Sequence, residues 1–570
     1  MTQKLLIALF LLISPEGPEK TATLSPPLDI PLLLSANFGE PRSNHFHSGL
    51  DFKTEGVTGK MIYAASDGHV YRLVVSPTGF GKALYIRHKN GLSTVYGHLD
   101  AFTPEIEKYV RKYQYENRRF DVNLFPHADE FTVNEGDIIG YSGNTGSSMG
   151  PHLHFEVRRS SDEKPLNPAQ FYDIEDNIRP VINAVAVYPA GISSLVNGKK
   201  EKLILKTRGN GGKYTSGIIE PVRIHGPVGF GINTFDYLNN SWHKCGVRII
   251  NVRLDNKLIY SHTLDEFSFA ETRYINSHID YEEKIQNNTT IQKTFLEPNN
   301  RLSIYNHIID NGVIEFHDGK IHEVEISVAD FNDNHSTVSF KIQSDTVKSS
   351  VPVERKGIMM PFSRSNEIKH HDIRLSFPAY CFYDTVFFDY RKAPPDRNGL
   401  YSDLHFLHNK YTPVHSSLDI AIKVSGEIDA EHADKLCLVY IDGINVGSMS
   451  FAGGQWNNGF IEGKVRDLGI YAIGIDTVAP EIYPVSFHDG ATLGRKDELK
   501  ISVNDDFSGI GEYEAFIDGK WALFEWDPKN SLLVYRPDED YISPGSKHKL
   551  ELRVRDNRDN ESLLQLEFYW

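Results

Sequence analysis

The chain is poor in cysteine. Three residues in 570, Cys245, Cys381 and Cys437, with no C-x-x-C pair, exclude both a disulfide framework and thiolate zinc motifs. We expect all three to be small buried hydrophobes. A surplus of base is lacking too. Lys plus Arg number 60 against 76 Asp plus Glu, a net charge of −16, which argues against a nucleic-acid or anionic-membrane surface as the main partner. The apolar run Leu5–Ile13 is too short to span a bilayer and fits instead the core of an export signal over 1–20. Neither H-E-x-x-H nor a phosphate-loop G-K-[ST] occurs, so zincin and nucleotide chemistry are set aside.

What is present is enough chain for about four domains. Short Gly-punctuated strands between about 27 and 175 (Val70 to Val74, Ala83 to Ile86, Thr94 to Tyr96, His152 to Val157) predict a compact, largely antiparallel β domain. Pro104 to Arg118 departs from this, with Ile106, Tyr109, Val110 and Tyr113 at helical spacing, and is expected to be a helical insertion on the rim. Downstream the sequence repeats itself. Pro180-Val-Ile182 returns as Pro480-Glu-Ile482, and His322-Glu-Val324 through Asp330 to Asn334 returns as His548-Lys-Leu550 through Asp556 to Asn560. Period-2 alternation in both copies implies one β-sandwich module used twice, over 176–346 and 478–570. The stretch 347–477, also rich in alternating strands, is expected to be a third, with 343–357 as linker. The fold class is therefore mainly β: an antiparallel-sheet domain with a helical insertion, then three immunoglobulin-like sandwiches.

Chemistry concentrates in the first domain. His47-Ser-Gly-Leu-Asp51 is followed by Tyr96-Gly-His98-Leu99, then by Gly143 to Gly150 and His152-Leu-His154-Phe-Glu156. On a strand His152, His154 and Glu156 share one face, and Gly49 allows His47 and Asp51 to converge from a second strand. Two neutral imidazoles and one carboxylate on Zn²⁺ leave a coordination position open, the pattern of a catalytic zinc. Strand geometry alone permits either His152 or His154 as ligand. Glu156 is equally readable as a hydrogen-bond partner behind the metal or as a surface carboxylate.

These residues resemble the signature of the lysostaphin/LytM-type zinc metallopeptidases, family M23: H-x-x-x-D, then Y-x-H-L, then a Gly-rich approach to H-L-H-F-E. The resemblance covers about 27–172 and implies the following. His47, Asp51 and His154 bind zinc, and His98 and His152 form a catalytic pair outside the ligand set. The substrate is a peptide of bacterial peptidoglycan, hydrolysed through a metal-activated water. Tyr96, Asn144, Thr145, Gly146 and Ser147 are expected to contact that substrate, and the helical insertion to wall its groove. The product is expected to be exported to the periplasm or cell envelope, not membrane-spanning, with the sandwiches available to a protein partner. Little chain precedes His47, so no N-terminal inhibitory segment is expected. The alternative is a non-catalytic LytM-like protein that binds wall or activates an amidase; such members usually lack a ligand, whereas every position is filled here.

Overall fold

The computed structural model describes residues 24–345, 356–426, 428–443 and 448–570. The expected export signal at 1–20 and most of the expected linker lie outside these residues. The architecture is mainly β, built from antiparallel ladders with few helices. Among the described residues no helix is long and apolar enough to cross a membrane.

The N-terminal sheet runs in the order Leu34–Ala36, Leu50–Lys53, His152–Arg159, Leu92–Phe102, Lys82–His88, Gly68–Val75. Its inner face is a continuous apolar core that includes Phe52, Ile86, Tyr96, Leu99, Phe155 and Val157. Strand His152–Arg159 is central, with His154 directly opposite Asp51 on one side and Gly97 on the other. That register fixes where chemistry sits. The glycine leaves His154 room, because a Cβ at Gly97 would press on His154 and Phe80 at 3.4 Å.

Helix Pro104–Asn117 follows strand Leu92–Phe102, with proline in its first turn and Ile106, Val110 and Gln114 buried. Proline there has the φ a helix needs and no amide to waste. The core of this domain extends into residues far downstream. Leu264, Phe267, Ile275 and Ile304 belong to the same apolar cluster, carried partly on the short helix Ile275–His278, which alternation alone does not predict. The first and second units are thus packed as one body.

Beyond them, two five-stranded sheets between Asn366 and Ile475 enclose a core around Phe377, Ile420 and Ile473. A four- and a five-stranded sheet between Glu481 and Tyr569 enclose Ile501, Leu533 and Leu552. All three cysteines are buried and unpaired. The last unit folds back onto the first. Arg111 pairs with Asp538 at 2.5 Å, Tyr115 stacks on Tyr541 at 3.5 Å between ring centres, and buried Lys82 reaches Glu525 at 3.5 Å. The helical insertion, expected to wall the groove, therefore lends its outer face to the C-terminal unit.

Candidate metal and catalytic site

His47 Nε2, His154 Nδ1 and Asp51 Oδ1 converge: the two nitrogens lie 3.1 Å apart, and the carboxylate oxygen is 3.0 Å from the first and 2.9 Å from the second. All three residues are buried. Ligands 2.0–2.2 Å from a tetrahedral zinc stand about 3.3 Å from one another, so this donor set, two nitrogens and one oxygen, fits zinc in type and in spacing. His152 Nε2 lies 3.5 Å from the same Asp51 oxygen. The rings of His98 and His152 are 4.8 Å apart, and that of His98 is 5.9 Å from His154.

Each of the four histidines has its outer ring nitrogen against an acceptor. His47 Nδ1 meets the Asn37 carbonyl at 2.7 Å, His98 Nδ1 that of Thr145 at 2.9 Å, His152 Nδ1 that of Gly150 at 2.8 Å, and His154 Nε2 the Glu156 carboxylate at 3.1 Å. A neutral imidazole carries one proton, and a carbonyl or carboxylate can only accept. The proton is therefore fixed on the outer nitrogen and the inner lone pair faces the common centre. Four rings are held in the tautomer a metal ligand or a base requires.

The electrostatics invite a cation. Burial opposes a charge on His154, yet Asp51 and Glu156 outweigh it and hold a proton there up to about 9, a proton that a bound metal would replace. His98, by contrast, is pushed down to about 3 by burial and by His154 and His152, so it stays neutral. Glu156 is ionised: burial raises its pKa, but Arg158 and His154 bring it down to about 2. It is fully buried, with Arg158 Nε at 2.6 Å on Oε2, and Ser48 Oγ donating to Oε1 beside His154. The surface-carboxylate alternative is thereby corrected.

Two local distortions build this arrangement. His98 has φ 59°, a left-handed conformation that a non-glycine residue adopts only under constraint. It breaks the strand's alternation, so that Tyr96 and Leu99 both enter the core while His98 turns toward His152. Gly143 approaches the same strand so closely that a Cβ would lie 2.3 Å from the Asp100 amide.

A family model described as peptidase family M23 matches residues 45–115 and 122–168. Over this stretch the chain is similar to the M23 peptidases. Over 122 residues the chain is 34% identical to the DD-carboxypeptidase/endopeptidase Mpg of Neisseria meningitidis, covering 21% of this chain and 22% of that protein. Over 138 residues it is 32% identical to the peptidoglycan DD-endopeptidase ShyA of Vibrio cholerae, covering 23% and 26%. The chain thus spans about a quarter or less of the length of these relatives. Among solved structures, a zinc-containing peptidase from Vibrio cholerae is 27% identical, with 27% of this chain and 41% of that one covered and a TM-score of 0.20. A second family model, Zu5-like domain, matches 358–476.

The N-terminal domain uses several expected substrate contacts differently. Tyr96 is fully buried, its hydroxyl accepting from the Ala65 amide at 2.9 Å and from Thr94 Oγ1 at 3.0 Å; it is core, since the turn at His98 sends it inward. Thr145 is spent on positioning. Its hydroxyl donates to the Leu99 carbonyl at 2.8 Å and accepts from the Lys82 amide at 2.9 Å, while its carbonyl holds His98. Gly146, with φ +68°, presses on the turn at Gly79–Gly81. The Ser147 hydroxyl accepts from the Gly79 amide at 2.9 Å. The Asn144 carbonyl accepts from Lys529 of the C-terminal unit, as does that of Ser148 at 3.2 Å. Residues 146–150 also spell G-x-S-x-G, but Ser148 Oγ donates to the Gly150 carbonyl at 2.8 Å, and no strand-to-helix elbow presents it as a nucleophile.

Two residues that the motifs do not mark complete the site. Phe80 stacks on His154 with ring centres 4.6 Å apart, and Arg42 donates to the outer oxygen of Asp51 at 3.1 Å. Nothing in the motif spacing signals either residue.

Proposed function

We propose that this chain is a zinc-dependent endopeptidase acting on the peptides of bacterial peptidoglycan, working in the cell envelope where that polymer lies. The observation that carries the reading is the set of four histidines grouped about Asp51, each with its outer ring nitrogen against an acceptor. His47, Asp51 and His154 would hold the metal. Zinc, when bound, supplies a Lewis acid for the scissile carbonyl and lowers the pKa of an attacking water. His98 and His152 are the proton-handling pair, their rings fixed by the backbone carbonyls of Thr145 and Gly150. Burial keeps His98 neutral, so it accepts a proton only as one is released and can pass it to the leaving amine. The names of the Neisseria and Vibrio relatives support peptidoglycan stem peptides as substrate. A complete ligand set argues against the non-catalytic alternative.

The test is digestion of purified peptidoglycan by the zinc-loaded chain, with products read by mass spectrometry. New amino termini within stem peptides are expected, and their loss in His154→Ala and in His98→Ala. Zinc bound in stoichiometric amount with no product, the same as for His154→Ala, would overturn the reading.

A further inference from the structure

At the junction of the first two units, Asp176, Asp236 and Asp330 each offer a carboxylate oxygen, and these oxygens all lie within 4.8 Å of one another. All three residues are buried, Asp236 completely. Neither oxygen of Asp236 has a hydrogen-bond partner, and Asp176 Oδ2 also lacks one. The other oxygens are occupied: Asp176 Oδ1 accepts from the amides of Ile178 and Asn239, and Asp330 from the Asn334 amide and side chain. Three carboxylate oxygens of this buried cluster thus lack a donor. A cavity of about 30 Å³ beside them is lined by Asp236, Asp330, Asn37 and Arg248. Arg248 is the charge at hand, but its guanidinium is committed to Asp265 through bonds of 2.7 and 2.8 Å.

A buried carboxylate without donors is costly and persists only if something neutralises it. The choices are a proton or a cation. Burial, then Asp330, then Asp176 raise Asp236 to about 8, with the Tyr237 amide opposing least. Burial also raises Asp330, to about 6.

The arrangement recurs in the C-terminal unit with Asp476, Asp505 and Asp556. Asp176 and Asp476 each stand four residues before the proline that opens the repeated strand. Val181 pairs with Phe235 and Glu481 with Asn504, so Asp236 and Asp505 follow at equivalent register. Asn334 and Asn560 each bridge the preceding strand's aspartate and the carbonyl of Asp176 or Asp476. Asp505 Oδ1 is again without a partner. A turn-forming aspartate explains Asp330 and Asp556 singly. It does not explain the third carboxylate brought in at the same register in both copies, Asp236 without donors and Asp505 with Oδ2 taken by the Phe507 and Gly509 amides but Oδ1 free.

We propose that Asp176, Asp236 and Asp330 form a calcium-class cation site in the module that follows the N-terminal domain, where the two pack together. The donors are oxygen only, which selects a hard cation over zinc. Ligands 2.3–2.6 Å from one calcium can lie up to about 5 Å apart, which accommodates this spread.

The full chain, carrying one equivalent of zinc and freed of calcium, is titrated with calcium chloride by calorimetry, and its Tm is read with and without calcium. Wild type is expected to bind calcium and gain several degrees in Tm. Asp236→Asn is expected to bind one ion fewer and to lose that site's share of the gain, while its Tm in calcium-free buffer is unchanged or higher, since a buried unpaired carboxylate is gone. Asp176→Asn serves as a second variant, with the same loss of one ion expected. No calcium binding by wild type, or undiminished stoichiometry in both variants, overturns the proposal and leaves Asp236 protonated instead.

Discussion

Replacing Glu156 by Gln tests how the site is held rather than which atoms line it. Oε1 of Glu156 accepts from both His154 Nε2, at 3.1 Å, and Ser48 Oγ, so an amide oxygen is retained at that position by two donors. His154 then keeps its tautomer but bonds to a neutral acceptor. A bond to a charged group nets about 1.5–3 kcal/mol against about 0.5–1.5 for a neutral one. The difference, about 1.4 kcal/mol, corresponds to about a tenfold weaker hold on zinc, within the range typical for loss of a partner behind a metal-bound histidine. The same substitution turns an amide NH₂ toward Arg158, whose Nε lies 2.6 Å from Oε2, and a buried cation deprived of its partner destabilises by about 3 kcal/mol. Arg158→Met, alone and combined with Glu156→Gln, separates the two effects. Zinc affinity measured by competition with a chelating dye should fall about tenfold in both variants that carry Gln and stay near wild type in Arg158→Met. Unchanged affinity in Glu156→Gln, or equal loss in Arg158→Met, refutes the reasoning.

Tyr96→Phe removes the acceptor of the Ala65 amide from a fully buried position and is expected to cost about 1–3 kcal/mol of domain stability, read by urea-dependent proteolysis, with KM unchanged; a raised KM would restore a substrate contact. Tyr115→Ala deletes the stack on Tyr541 and the edge contact with Trp521; at about 0.5–1.5 kcal/mol apiece, amide exchange in helix Pro104–Asn117 should quicken about tenfold, and unaltered exchange would mean the contact does not stabilise the docked state. His405, 1% exposed, is held by burial down to about 4. Its unfolded form takes up a proton below about 6.5, so its contribution is intact above that value and is lost as pH falls from about 6.5 to about 4, up to about 3 kcal/mol. Denaturation of the chain across this window should be steeper for wild type than for His405→Gln.

Much of the first domain was legible because its signals are local. Alternation placed His152, His154 and Glu156 on one strand face, and His154 does share a site with His47 and Asp51. The insertion read as helix from its spacing is helix Pro104–Asn117. The repeat was legible for the same reason: His322 and His548 occupy equivalent places, each 2.7 Å from the aspartate of a preceding turn, Asp255 and Asp518. What failed is whatever depends on backbone departures or distant partners. Tyr96 and His98, two apart on a strand, should share a face, and only the φ of 59° at His98 sends them opposite ways. Thr145 and Ser147 have hydroxyls suited to substrate, but Lys82 and Leu99 take the first and Gly79 the second. No pattern links Lys529 to Asn144, or Leu264 to the core of a domain that ends a hundred residues earlier.

The placement of those distant partners bears on how the site keeps its shape. Three of the four histidine protons rest on carbonyls of loop residues, Asn37, Thr145 and Gly150, and loops are the most deformable part of a sheet domain. Each of these loops is braced from outside the motif. Asn37 exchanges two hydrogen bonds with Gly246, at 2.7 and 2.8 Å, a residue of the second unit. The loop from Asn144 to Ser148 is tied by Ser147 to Gly79 and by Thr145 to Lys82, and receives Lys529 of the last unit at two carbonyls. A 1 Å drift of either carbonyl would release a ring from its tautomer, a change that costs far more in catalysis than in stability. The downstream units therefore hold the acceptors that hold the histidines.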